Sequence, residues 1–516
     1  MAALVAMLAA ASYSAEPAAV RPFELPGEFA PFNSIDPHVF AVLRKEGIEP
    51  AALCSDEVFL RRVHLDVIGT LPSPREVRDF LGDRRPDKRA ALIEALLQRS
   101  EFADYWAMKW CDLLRVKSEF PVNLWPNAVQ AYHQWIRDAI ARNEPYDRFA
   151  RELLTASGSN FRVPQVNFYR AVQGREASAL AAAAALTFMG TRLDRWPEDQ
   201  RRGLEAFFSR VAYKETAEWK EEIVYLSPKA TRPLDAVFPD GTKVRIPAGE
   251  DPRRVFADWL IRPENEWFAR SMVNRQWAWL MGRGLIEEPD DIRPDNPPSN
   301  PGLLAYLEGE LVESGYDLRH IYRLILNSRT YQQSCLPRSR HEQAERLFAY
   351  YVPRRLDAEV LIDALNTICG SGENYTSPIP EPFTFIPEGQ RTIALADGSI
   401  SSPFLELFGR PPRDTGLMSE RDNRPTDAQR LHLLNSSHIQ KKIEESQRLR
   451  GLVRETRGDR RALVRSLYVM VLSRYPTEAE LTTAEQYLRT DGGRLQQAVH
   501  DLTWALINTK EFLYRH

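Results

Sequence analysis

The residues whose types could do chemistry together form a polar set rich in arginine, spread over two segments of the chain. Arg275, Asp291 and Arg293 lie in the first; Arg410, Arg413, Glu420, Arg421, His432 and Asn435 lie in the second. A guanidinium presents a planar fork of donors that grips carboxylates, sulfates or phosphates two bonds at a time, and Asn, His and Glu can add contacts to sugar hydroxyls. The set reads either as a binding site for an acidic ligand or as buried ion pairs that lock a loop to helices. A hydrolytic alternative makes Glu420 one half of an acid–base pair acting on a glycan, with Asp291 or His432 as the other half.

Other chemistry fits less well. Asp290, Asp291, Asp295 and Asn296 carry oxygens suited to calcium, but their spacing matches no EF-hand and prolines interrupt it, so loop capping and pairing with Arg293 are expected instead. His64, His320 and His432 each sit alone on apolar helical segments, the usual place of a satisfied structural histidine. No HExxH, GxSxG or phosphate loop is present. Cys54, Cys111, Cys335 and Cys369 are far apart in sequence, and none forms the CxxCH element that covalent haem attachment needs. No metal and no cofactor is expected.

The elements that must position these residues are mostly helices. Phe268 to Leu280 is aromatic or apolar on nearly every turn, which predicts a buried helix stopped by Gly282 and Gly284. An acidic, proline-rich loop over Glu287 to Pro301 follows. Ser299 or Asn300 can cap the next helix, Pro301 suits its first turn, and Leu303, Leu304, Leu307 and Leu311 recur at helical spacing. Gly315 closes that helix and Asp317 opens another. Ser73 with Glu76, Thr426 with Gln429 and Thr477 with Glu480 read as further N-caps, the last two with capping-box spacing. The predicted class is mainly α, multi-helical, with a small β element near 212–250, where Trp219 to Leu226 and Lys243 to Ile246 flank Asp240-Gly241. Gly370 to Ser402 is the longest irregular stretch. The two ends of the chain also echo one another: Arg62 to Pro72, leading to Glu101-Phe102, matches the grammar of Ser466 to Pro476, leading to Glu511-Phe512.

With 516 residues, 43% of them hydrophobic and 27% charged, the chain can bury the core of a multi-domain globular protein. A net charge of -3 with dispersed arginines argues against nucleic acid as a partner. Met1 to Ala11 is apolar and alanine-rich, and small residues follow over Ser12 to Ala15. This reads as a signal peptide lacking its basic start, and predicts export to the periplasm or cell envelope. No later run approaches the length of a membrane-spanning helix.

Several spaced motifs carry a family resemblance. FARSMVNRQW over 268–277, Gly282-Arg-Gly284, the DD-x-R loop 290–293, NPPSNP over 296–301, ESGYDL over 313–318 and SRTYQ over 328–332 resemble the planctomycete-specific C-terminal domain. Phe408 to Arg413, Ser419 to Arg421 and Leu431 to Asn435 continue the match. Arg61 to Leu71, Trp106 to Leu114 and Pro145 to Phe149 resemble the planctomycete cytochrome C type domain that usually precedes it. Where that domain is expected to carry a CxxCH element, Phe188 to Leu193 runs directly into Asp194-Arg-Trp196 and Gly203 to Phe208. The expected organisation is a leader over 1–15, a linker over 16–34, a helical domain over 35–211, a β insertion over 212–250 and a second helical domain over 251–516. Both families are of unknown function. The resemblance implies an exported binding or scaffolding protein for an acidic polysaccharide or a protein partner, with a secreted sulfatase-like protein as a frequent neighbour. An electron-transfer role is disfavoured by the absent CxxCH.

Overall fold

The structure, a computed structural model, describes residues 23–26, 30–229, 231–490 and 495–516. The leader expected over 1–15 and part of the 16–34 linker lie outside the described residues. Helices account for 52% of the chain and strands for 6%, so the class is mainly α with small β elements.

The helix Ser100–Leu113 is the axis of the first half. Every residue from Tyr105 to Leu113 is buried, which an ordinary amphipathic surface helix does not show. Its rings explain why. Trp106 meets Tyr322 at 4.4 Å and Trp279 at 5.3 Å between centroids, and Trp110 meets Phe149 at 5.1 Å. Aromatic pairs in such tilted arrangements add to the large area that each ring already buries. Trp279 and Tyr322 belong to the second half of the chain, so this helix forms part of the boundary between the halves. Lys109 and Asp112 are its buried charges, and three residues apart they share a face.

The helix Phe268–Met281 meets it through Trp279 and is likewise buried on nearly all sides. Gly282 ends it at φ 90°, and a Cβ there would stand 2.5 Å from the Arg354 side chain, so only glycine fits. After the polar loop, Asn300 caps the helix Pro301–Glu313 by accepting from Leu303 N at 3.0 Å, and Asp317 caps Leu318–Asn327 through His320 N at 3.1 Å. Ser73, Thr426 and Thr477 all cap, and each forms a reciprocal box with its partner three residues on.

The β content forms separate small sheets. Val211–Glu215 pairs with Glu222–Leu226, which also takes Gly158–Ser159 on its other edge. Lys243–Ile246 pairs with Leu234–Val237 across Asp240-Gly241. Trp219, expected at the start of a strand, lies instead in the turn between the first two. A third ladder joins Arg354–Arg355 to Tyr514–Arg515, antiparallel, with Arg354 opposite Arg515.

The echo between the ends is structural as well. Each has an apolar helix, a turn, a capped helix and a further helix before its Glu-Phe pair: Asp56–Val67, Pro74–Gly82 and Lys88–Leu97 at one end, and Arg460–Leu472, Glu478–Thr490 and Leu495–Ile507 at the other. The two units touch through Arg61, whose guanidinium donates to the carbonyls of Val471 and Phe512 at 3.0 Å each.

Replacing Trp106 with alanine removes a ring buried between both halves and is expected to cost about 3–5 kcal/mol. Urea unfolding monitored by circular dichroism measures this; a loss under about 1 kcal/mol would contradict this account of the core.

Candidate functional site

Where the two halves meet, a cleft of about 640 Å³ opens. The helix Ser100–Leu113 supplies Lys109 and Asp112. The end of Phe268–Met281 and its loop supply Arg283 and Asp290, and the short ladder supplies Arg354, Arg355 and Arg515. Asp357, at the start of the helix Ala358–Cys369, and the loop bearing Arg421 and Asn423 complete it.

The floor is a connected ion network. Asp357 accepts from Lys109 Nζ at 2.9 Å, Arg515 Nη2 at 2.7 Å, Asn423 Nδ2 at 2.7 Å and the Tyr105 hydroxyl at 3.1 Å. Arg421 bridges Asp112 at 2.7 Å and Glu359 at 2.6 Å. Arg413 reaches Asp112 at 2.9 Å, and Arg410 reaches Glu359 at 3.4 Å. Asp66 lies behind, within 3.4 Å of Arg515 and 3.6 Å of Arg354, and accepts from the hydroxyls of Tyr331 and Tyr351 at 2.8 Å each. Burial makes each of these charges costly unless it is paired, which is why the network closes on itself.

Cations are nevertheless in excess. In the network Lys109, Arg354, Arg410, Arg413, Arg421 and Arg515 face Asp66, Asp112, Asp357 and Glu359, and Arg355 adds a guanidinium bonded to the carbonyls of Phe408, Asp422 and Asn423; Glu287, Glu288, Asp290 and Asp422 line the cleft around it. Burial and this field together set the ionisation of the groups. Burial, reinforced by Arg421, lowers Lys109 to about 8. Burial works against the Asp357 carboxylate, yet Lys109, Arg515 and Arg421 outweigh it and hold the group well below the usual carboxylate range. Glu359 shows the same contest, burial against Arg421, and lies at about 2. One nitrogen on each of Arg354, Arg355 and Arg515, and Oδ1 of Asn423, has no hydrogen-bond partner.

The structure gathers part of the polar set named from sequence. Arg410, Arg413 and Arg421 converge on Asp112 and Glu359 beneath the cleft. Arg275 is fully buried, pairs with Asp290 at 2.9 Å and donates to the carbonyls of Leu186 and Thr187, so it ties the loop to the first half. Asp290 in turn accepts from Met418 N at 2.6 Å. Asp291 and Arg293 lie on the outer side of that loop: Asp291 pairs with Arg195 at 2.7 Å, and Arg293 with Asp291 at 3.2 Å and Asp295 at 2.9 Å. Asn296 donates to the carbonyls of Glu287 and Asp291. Glu420 accepts from the backbone of Asp414 and Thr415, and burial raises its pKa. His432 meets the stacked Phe404 and Phe408 rings edge-on, its pKa lowered by burial and then by His438; Asn435 is exposed at the end of the same helix. Among the described residues no hydrogen bond or ion pair joins Glu420 to Asp291 or to His432.

Sequence reasoning missed Lys109, Asp112, Asp357, Glu359, Arg354, Arg355 and Arg515. One signal was available: Lys109 and Asp112 interrupt an otherwise apolar, aromatic helix. Gly409 shows how tightly the adjoining loop is held, since at φ 81° a Cβ would stand 1.9 Å from the carbonyl oxygen of Asp422.

Residues 34–211 match PSCyt2, a protein of unknown function (DUF1549), and residues 252–488 match PSD1, a protein of unknown function (DUF1553). The chain thus carries a PSCyt2 region followed by a PSD1 region. These are the planctomycete cytochrome-like and C-terminal domains that the motifs resemble. No curated protein and no solved structure matches the chain. The PSCyt2 domain brings Lys109 and Asp112 to the cleft, the PSD1 domain brings Arg283, Asp357 and Arg421, and Arg515 arrives from beyond the PSD1 match.

Replacing Asp357 with asparagine leaves Lys109 and Arg515 without their nearest counter-charge, and an expected loss of about 3–5 kcal/mol is measurable by urea unfolding. Acid should weaken the fold in a defined window. Because Glu359 lies lower folded than unfolded, its contribution is present above the ordinary value of 4.5 and disappears as the pH falls through about 2. Unfolding curves between those limits should therefore be less pH-dependent in Glu359→Gln than in the native chain.

Proposed function

We propose that this chain is an exported binding protein whose interdomain cleft takes the carboxylate or sulfate groups of an acidic glycan. The observation that carries the reading is the set of cations lining the cleft, Lys109, Arg283, Arg354, Arg355, Arg421, Arg424 and Arg515, which slightly outnumber the carboxylates of Asp112, Glu287, Glu288, Asp290, Asp357 and Asp422. An anion in a partly desolvated pocket of this kind gains more from each charge than it would in water, and guanidinium forks suit planar carboxylates and sulfates. Arg283 and Arg424 also line the cleft, and Arg424, paired with Asp422 at 2.8 Å, is exposed enough to meet a polymer by exchanging that partner. Export rests on the alanine-rich apolar start of the sequence. No helix among the described residues is long and apolar enough to cross a membrane.

Calorimetric titration with oligogalacturonate and with a sulfated oligosaccharide tests the reading. Binding of at least one is expected, weakened about tenfold in the Arg283→Ala/Arg424→Ala variant and weakened by added salt. Affinity should also fall as the pH rises through about 8, because Lys109 then loses its proton and the cleft a positive charge. Absence of binding to both probes contradicts the proposal. New reducing ends in the same mixture would identify the hydrolytic alternative instead.

A further inference from the structure

A second surface, with its own lining and the opposite chemistry, lies where the β insertion meets two loops. Trp219, 68% exposed, stands in the turn between strands Val211–Glu215 and Glu222–Leu226. Its ring meets Trp125 at 6.4 Å and an interplanar angle of 82°, and Trp125 meets Phe383, 51% exposed, at 5.5 Å and 57°. Phe383 comes from the long irregular stretch after Gly370, whose Phe385 is also exposed. Rings from three distant segments therefore form an open corner, exposed where a core would cover them.

The backbone is held in costly conformations there. Trp125 has φ 74° and ψ 145°, a region that side-chain-bearing residues rarely enter, and Asn123 and Lys220 have φ 60° and 62°. Beside the corner is a cavity of about 580 Å³. Its arginines are already spent, since Arg170 and Arg175 both pair with Glu222, at 2.9 and 2.5 Å. Lys220 lies over the Trp125 and Trp219 rings, at 5.2 and 5.5 Å. The side chains of Asn123, Glu215 and Glu218, by contrast, have no hydrogen-bond or ion-pair partner among the described residues.

We infer that this corner is a binding site for a neutral oligosaccharide. The C–H face of a pyranose carries a slight positive polarity and packs on the negative face of an aromatic ring, while its hydroxyls both donate and accept. The corner offers exposed rings, with Lys220 over one face of Trp125 and of Trp219; Glu215 and Glu218 accept, and Asn123 does both. The unpaired carboxylates repel an acidic sugar, so this site and the cationic cleft select different ligands. The inference stands independently of the cleft reading.

Titration of the full chain with cellohexaose, xylohexaose, laminarihexaose and mannohexaose, followed by tryptophan fluorescence, tests it. At least one is expected to give a saturable shift, with affinity reduced about tenfold in Trp219→Ala and partly restored in Trp219→Phe. Trp219 is exposed, so the variant should keep the native circular dichroism and its binding of acidic oligosaccharide at the cleft. The inference is overturned if none of the four binds or if Trp219→Ala binds equally well. It is also overturned if sedimentation shows that the corner joins two copies of the chain and that Trp219→Ala abolishes only that association.

Discussion

The carboxylate of Asp357 is the interaction on which the rest of this structure turns. It is buried, so it must be compensated on every side, and its partners come from remote parts of the chain: Lys109 and Tyr105 from the first domain, Asn423 from the second, Arg515 from the C-terminal strand. Meeting that demand fixes where the helix Ser100–Leu113 lies against the PSD1 domain and why the chain end returns to pair with Arg354–Arg355. A buried ion pair contributes little net stability over a well-packed apolar pair, so what this network supplies is placement. The compensation overshoots. Burial, and then the neighbouring Arg421, lowers Lys109 within this network.

Much of the helical frame was legible from local pattern. Asn300 and Asp317 cap where their spacing predicts, and Gly282 stops Phe268–Met281 because a positive φ and the Arg354 side chain admit nothing larger. The β segment was legible only as composition. The Asp240-Gly241 turn joins Leu234–Val237 to Lys243–Ile246, so the residues after Trp219 pair elsewhere; partner choice depends on contacts that period alone does not encode. The site divided in the same way. Arg410, Arg413 and Arg421 stood out because arginines cluster around a proline-rich turn. Asp357 did not, because Lys109 is 248 residues away and Arg515 is 158. Arg275 illustrates the other failure, since a residue type suited to ligand binding is fully used in fastening the 287–301 loop to Leu186 and Thr187.

The cleft belongs to neither domain alone. The PSCyt2 part contributes one lysine and one aspartate from a helix otherwise filled with rings, and the PSD1 part contributes most of the guanidinium groups. Separated, each would expose charges whose partners lie in the other, which gives a physical reason for the two to occur in one chain. The aromatic corner follows the same plan, taking Trp125 and Trp219 from segments before the PSD1 match and Phe383 from within it.

The central claim is that the cleft floor is a buried, cation-rich network, and Lys109, lowered first by burial and then by Arg421, lies within it. Following the Lys109 side chain by NMR in lysine-labelled protein across pH 6 to 12 gives its midpoint. The account predicts a midpoint near 8, moving upward when an acidic oligosaccharide binds. A midpoint at the ordinary lysine value of 10.5, unmoved by such a ligand, would contradict it.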